Sequence, residues 1–303
     1  MTSATVVAGF GRHLLVSTDA GEQMAAVTRG RNARVAVGDR VRITALGAGQ
    51  VVIESVDTRR NEFKRSDAAR SKMIAANLDQ AGVVIAPQPP FSEELLLRVL
   101  IAAGAEGIPI ALVLNKCDLT QARAAIETRM QAYRRLGYRV IECAARADPD
   151  GTRAALQPWL AGKRTLLLGE SGMGKSTLIN CLVPEAGLRT REISEALGSG
   201  RHTTTFTRMF ELPGAGGGVI IDSPGFQGFG LEHLSVSQRV HAMPDFAPLL
   251  GKCRFHNCTH REEPGCAIRT AVQDGTVDPI RYQLFVRLTD QSQSLARANP
   301  RRA

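Results

Sequence analysis

The chain has 303 residues, 44% of them hydrophobic, and its 38 Lys and Arg against 29 Asp and Glu give a formal charge of +9. That apolar content supports two or three domains with packed cores and removes the need for covalent staples, while no apolar run approaches the ~20 residues that span a bilayer. The cationic excess points to a polyanionic partner whose phosphates release counterions on binding, although a solvated basic surface carries the same charge.

Six cysteines raise the question of disulfides. Cys117, Cys143 and Cys181 are scattered, however, and the other three cluster with a histidine at metal-ligand spacing, a usage that fits a reducing compartment. Residues 1–5 show no basic segment leading into an apolar core. A soluble, cytoplasmic protein with no membrane association is expected.

In chain order, residues 6–10, 13–17, 23–27, 39–43 and 50–56 read as short strands separated by turns. Five such strands over residues 1–60 predict an all-β barrel of the OB type, a common nucleic-acid-binding barrel. Arg12, Arg29, Arg31, Arg34, Arg40 and Arg42 decorate it, with Phe10 the one aromatic side chain. That composition favours contact with an RNA backbone over reading of bases, and a barrel that is merely basic is the alternative. Residues 59–72 are charged and turn-like and read as a linker.

Over residues 73–230 the pattern changes to alternating strands (82–86, 109–114, 138–142, 165–169, 218–222) and helices (92–103, 121–136, 152–160, 175–182). This alternation predicts an α/β domain with a mostly parallel sheet, whose ligands bind beyond the carboxyl ends of the strands. The glycine-rich stretch 214–218 reads as a hairpin turn. Residues 231–303 are expected to form a mainly helical third domain, ending in a helix over 279–296, with Arg287, Arg297, Arg301 and Arg302 making that end basic.

Two nucleotide motifs stand at strand ends. Gly169-Glu170-Ser171-Gly172-Met173-Gly174-Lys175-Ser176-Thr177 fits the phosphate-loop pattern, with a strand before it and a helix after it. Its glycines let backbone N–H groups close on phosphate oxygens, Lys175 reaches the β- and γ-phosphates, and Ser176 can ligate Mg²⁺. Asn115-Lys116-Cys117-Asp118 fits the N-K-x-D pattern. Its Asp118 carboxylate can accept two hydrogen bonds from the guanine edge, where adenine has no donors.

The guanine motif precedes the phosphate loop, the reverse of the usual order. If both build one site, the domain is circularly permuted, and whatever follows 222–225 hangs on the loop that senses the γ-phosphate. Asp222-Ser223-Pro224-Gly225 reads as that loop, Asp222 ordering Mg²⁺ and the Gly225 N–H meeting the γ-phosphate. Gly200-Arg201-His202-Thr203-Thr204-Thr205 reads as a switch segment, with Thr204 chosen over its neighbours as the Mg²⁺ ligand. Phe226 occupies the position of a water-orienting glutamine, so His202 is the internal candidate to hold the attacking water, with a merely structural histidine as the alternative. Lys175, Thr204 and His202 are thus the candidate catalytic residues. Cys253, Cys258, His260 and Cys266 offer three thiolates and an imidazole, which saturate one tetrahedral Zn²⁺ and leave no open position. That makes the metal structural.

These motifs, together with Val37-Gly38-Asp39-Arg40-Val41 and Ala76-Asn77-Leu78-Asp79-Gln80, resemble the ribosome small-subunit-dependent GTPase A family (RsgA, also called YjeQ) over nearly the whole chain. One departure is Cys143-Ala144-Ala145, where that family usually has a Ser-Ala loop beside the guanine. The resemblance implies a late-acting assembly factor that binds the 30S subunit, contacts 16S rRNA and hydrolyses GTP to GDP mainly when bound there. The implied cofactors are one Zn²⁺ per chain and Mg²⁺ with GTP, and a monomer is expected. Two rival readings are an RNA-binding protein with a vestigial nucleotide site, opposed by the intact Lys175, Ser176 and Asp222, and a GTP-driven zinc chaperone, opposed by a closed ligand set.

Overall fold

The computed structural model describes residues 1–10, 13–29, 34–47, 49–66, 71–188, 206–214, 216–223 and 229–298, without the side chains of Phe10 and of residues 292–298. The chain divides into two compact units. The first comprises Met1–Lys64, Met73–Phe91 and Ile108–Gln227, and the second Arg65–Lys72, Ser92–Gly107 and Gly228–Ala303.

The first unit opens with β1 (Thr2–Phe10), β2 (His13–Thr18), β3 (Gln23–Thr28), β4 (Arg40–Gly47) and β5 (Gln50–Val56). β1 pairs antiparallel with both β2 and β4, β2 with β3, and β4 with β5, while β3 and β5 run parallel. The ring β1-β2-β3-β5-β4 therefore closes on itself, which removes its edges. Period-2 alternation fills its interior, with Ala4, Val6, Ala8 and Val41 fully buried. Gly38 is required where it stands, because its φ is +94° and a Cβ there would lie 2.2 Å from the Ala76 carbonyl oxygen.

Residues 59–66 and 71–72 are more ordered than a linker. Arg59 donates from Nε and Nη2 to the fully buried Asp39 carboxylate (2.6 and 2.8 Å), which also accepts the Ala36 N–H at 2.8 Å. β6 (Glu62–Ser66) then pairs with β7 (Ser71–Ala76) in a two-stranded ribbon, and Phe63 is fully buried. A single apolar residue among charges hides this strand from a pattern search, and Asp39 is the partner that anchors the segment.

The central sheet contains β8 (Gln80–Ile85), β9 (Ile110–Leu114), β10 (Arg139–Glu142), β11 (Arg164–Gly169), β12 (Thr207–Glu211) and β13 (Val219–Asp222). Its order β10-β9-β8-β11-β13 is parallel throughout, and β8 is buried along its full length, as central parallel strands are. β12 pairs antiparallel with β13 through the glycine-rich hairpin and antiparallel with β1 on its other side. Ala8, Arg208 and Asp222 stand in one register row, so the barrel and the parallel sheet form one continuous hydrogen-bonded surface. α2 (Thr120–Arg135) and α3 (Pro149–Leu160) pack on β10, and α4 (Lys175–Leu182) on β11. α3 starts where Asp148 accepts the Gly151 N–H at 2.9 Å and proline follows, a position that needs no amide donor.

The second unit gathers α1 (Glu93–Ala105), α5 (Val236–His241), α6 (Ala267–Gln273) and α7 (Pro279–Ala298). α1 sits between β8 and β9 in sequence yet packs on α5 and α7. Phe246 and Phe285 meet edge to face at 5.1 Å, and the buried Arg281 pairs with Asp245 at 3.0 and 3.1 Å. Among the described residues no helix is long and apolar enough to cross a membrane.

Candidate functional site: a nucleotide edge and a Cys/His cluster

The phosphate loop and the guanine motif meet at the carboxyl ends of β11 and β9. Asn115 is buried, and its Nδ2 donates to the Met173 carbonyl at 3.1 Å while Lys116 Nζ donates to that of Gly172 at 2.8 Å. The two motifs, 51 residues apart between Asp118 and Gly169, thus build one site despite their reversed order. Gly174 caps α4 with φ +89°, and a Cβ there would stand 2.3 Å from Asn115 Nδ2. Only glycine admits this closure. Met173 is buried beneath the loop, whereas Asp118 is exposed beyond the end of β9.

Residues 143–145, which the family resemblance sets beside the guanine, complete this edge. Cys117 N–H donates to the Cys143 carbonyl (3.1 Å), and Ala145 N–H donates to Asn115 Oδ1 (3.0 Å). Burial pushes the Cys143 thiol up to about 12, so it stays protonated and donates to the same oxygen at 3.7 Å. The Cys-Ala-Ala segment therefore holds the guanine motif through the Cys143 carbonyl, the Ala145 N–H and the Cys143 thiol.

Lys175 is buried and donates to Asp222 Oδ1 and to the Ser223 carbonyl (2.8 Å), and Ser223 Oγ donates to the Leu167 carbonyl at 3.0 Å. Asp222 Oδ2 is buried with no hydrogen-bond partner among the described residues. Burial pushes the Asp222 carboxyl above its ordinary range against the opposing pull of Lys175. An orphaned anionic oxygen is costly, and it has the chemistry to accept a hard cation or that cation's bound water. With the half-buried Ser176 opening α4, this edge fits a magnesium-phosphate group. His202, Thr204 and the rest of 200–205, together with Gly225 and Phe226, lie outside the described residues, as do Arg12 and Arg31 in the barrel and Arg301 and Arg302 at the basic end. The Arg297 side chain is likewise not described.

In the second unit, one ligand atom from each of Cys253, Cys258, His260 and Cys266 lies within 4.8 Å of all the others. Cys253 Sγ and Cys266 Sγ are 4.0 Å apart, and His260 Nδ1 stands 3.5 and 3.6 Å from them. A zinc ion with bonds of ~2.3 Å to sulfur spaces its tetrahedral ligands ~3.8 Å apart, so the cluster can hold one. His260 adopts φ +62°, and the Tyr282 hydroxyl of α7 donates to its carbonyl at 2.9 Å. The Ala267 N–H donates to Cys253 Sγ at 3.4 Å, a contact that suits a thiolate.

A family profile described as RsgA GTPase matches residues 56–232. The chain is 50% identical over 296 residues to the Small ribosomal subunit biogenesis GTPase RsgA of Paraburkholderia phytofirmans, covering 96% of this chain and 94% of that protein. To the protein of the same name from Ralstonia pickettii it is 48% identical over 290 residues, covering 95% and 92%. Among solved structures, YjeQ from Thermotoga maritima is similar with a TM-score of 0.72 and 26% identity, covering 96% of this chain and 98% of that one. YloQ, described as a circularly permuted GTPase, is similar in fold with a TM-score of 0.69 and 24% identity, covering 97% and 96%.

Proposed function

The chain belongs to the RsgA GTPase family, and from that membership we propose that it hydrolyses GTP in the biogenesis of the small ribosomal subunit, bound to the 30S particle and to 16S rRNA. The observation that carries this reading is the meeting of Asn115 and Lys116 with the phosphate loop in permuted order. A permuted GTPase fold and the names of relatives covering nearly the whole chain support it.

In the proposed mechanism, residues 115–118 select guanine through Asp118, and residues 169–177 hold the phosphates with their backbone N–H groups. Lys175 and Asp222 form an ion pair. Lys175 would reach bound phosphates and Asp222 would face Mg²⁺, which when bound would supply positive charge against the β- and γ-phosphates. Ser176 and Thr204 would join Asp222 in holding Mg²⁺, Gly225 would meet the γ-phosphate, and His202 would hold the attacking water. His202→Ala is expected to slow turnover by about 10²-fold with nucleotide affinity unchanged, and unchanged turnover would return it to a structural role.

One Zn²⁺ on Cys253, Cys258, His260 and Cys266 stabilises the loop that carries them. Residues 1–60, 73–230 and 231–303 act as RNA-binding, GTPase and zinc-bearing modules of a cytoplasmic monomer. The test is GTP hydrolysis with purified 30S or 50S subunits, paired with 30S affinity in a non-hydrolysable GTP analogue and in GDP. We expect stimulation by 30S alone and tighter binding in the GTP-like state. Equal affinity in both states without stimulation would overturn the reading.

A further inference from the structure

The first unit has a second charged recess, at the opposite ends of the strands that carry the nucleotide site. Arg164 and Val219 begin β11 and β13, and Asp79 precedes β8, so this recess faces the amino ends of the parallel sheet, with Arg40 of the barrel in its wall. It is an open cleft of about 420 Å³ lined by Arg40, Arg60, Lys163, Arg164, Asn77 and Asp79, with backbone from Gly162 and Gly218.

Four cationic side chains share this cleft with a single carboxylate, and that carboxylate is already engaged. Asp79 accepts the Arg164 N–H at 2.7 Å and Arg60 Nη2 at 2.9 Å. Arg40 pairs with Asp19, but both are exposed, and such a pair contributes little. Arg164 is held in place by the carbonyls of Gly38 (3.0 Å) and Asn77 (3.3 Å). Burial disfavours its charged form, and the proximity of Arg60 and Arg40 adds to this against the attraction of Asp79. Lys163 is exposed at the rim, while its carbonyl is fixed by the Val219 N–H at 2.8 Å. Like charges held together on a rigid frame favour an anion between them, since it relieves repulsion without reorganisation. Among the described residues the lining contains no aromatic ring for a base, and Val219 is its one apolar side chain. Such a site takes phosphate and sugar, and reads no sequence.

We propose that this cleft seats phosphodiester groups of an RNA strand, extending the barrel's RNA surface onto the starts of β11 and β13. The inference rests on the RNA-binding role proposed above and adds its location, on the side of the sheet away from GTP. Free phosphate and nucleotides share the recognised chemistry and are separated by the test.

Full-length protein, Lys163→Glu and Arg60→Ala would each be titrated with 30S subunits and with a single-stranded RNA oligonucleotide across a salt series, with and without millimolar inorganic phosphate. Lys163→Glu is expected to weaken both about tenfold, and Arg60→Ala to reduce the salt slope by about one. For Lys163→Glu, GTP hydrolysis without subunits and the thermal midpoint should stay unchanged, as Lys163 is exposed. Wild-type affinity and slope in both variants would overturn the cleft while leaving the family reading intact. Loss of RNA binding in millimolar phosphate at constant ionic strength would assign the cleft to the free ion. Wild-type protein that binds the oligonucleotide but not 30S would sink the ribosomal reading alone, and binding to neither would sink both.

Discussion

Asn115 and the loop 172–175 are brought together by the ends of two strands whose residues are nearly all buried, whereas Cys253, Cys258, His260 and Cys266 sit in a stretch of 14 residues with neither helix nor strand. In the first region the frame is held by the protein's own hydrogen bonds. Hydrogen bonds from Asn115, Lys116 and Ala145 close the edge, and a nucleotide has only to exchange partners with Lys175 and Asp222. In the second, backbone turns and a few contacts such as Tyr282 to His260 hold thiols that a metal would bind far more strongly. A preformed site tolerates loss of its ligand, and a metal-defined site does not.

The sharpest way to break this contrast is metal removal. Structural zinc contributes about 10 kcal/mol or more to small domains, so chelation or Cys258→Ser should release one metal equivalent and abolish hydrogen-exchange protection over 253–266. Nucleotide affinity should persist. Protection retained after chelation would mean that both regions are preformed.

Next in size is Lys175→Met, which should lower the GTP hydrolysis rate by about 10²–10³-fold, the effect of removing one preorganised charge from a reacting centre. It also leaves Asp222 buried without its cation, at a cost of roughly 3–5 kcal/mol if the carboxylate stays ionised. Single-turnover kinetics alongside denaturant unfolding separates the two effects. Retained hydrolysis would remove Lys175 from the reaction.

Asp118→Asn probes the exposed end of the same edge. It should weaken GTP by roughly 1–3 kcal/mol and favour xanthine nucleotides, whose 2-oxo group accepts where guanine donates. Because Asp118 lies outside the core, the thermal midpoint should hold. Equal affinity of the wild type for ATP and GTP would show that this residue selects no base.

The smallest expected effect concerns Asp79. Burial acts to raise its pKa, but the Arg164 N–H and Arg60 outweigh it, and the carboxyl ends below its ordinary value. A depressed carboxyl adds stability above its unfolded pKa of about 3.9, and that stability is lost as pH falls through the folded value. Asp79→Asn should therefore lower the midpoint near neutral pH, and the difference from wild type should vanish in acid. A difference that persisted into strong acid would assign the effect to hydrogen bonding alone.

Sequence spacing alone exposed the phosphate loop, the guanine motif, the metal cluster and the closed five-strand barrel, because each is a short-range pattern whose chemistry demands particular residue types at particular offsets. α4 runs over Lys175–Leu182 as expected, since strand, glycines and helix are adjacent in sequence. Other features were decided by partners far away along the chain. β12 has only the five residues Thr207–Glu211 to announce it, and it exists as the strand between β13 and β1, some 200 residues upstream. The pairing of Lys175 with Asp222, the amide of Ala145 on Asn115 and the cleft around Arg164 likewise depend on which segments the sheet sets side by side. α1 shows the same division: its Ser92 cap and apolar face dictate a helix, but its membership of the second unit follows from packing on α5 and α7. Local spacing carries chemistry and secondary structure; tertiary pairing decides which charges become neighbours, because a charge's partners are set by distance in space and leave no period in the sequence.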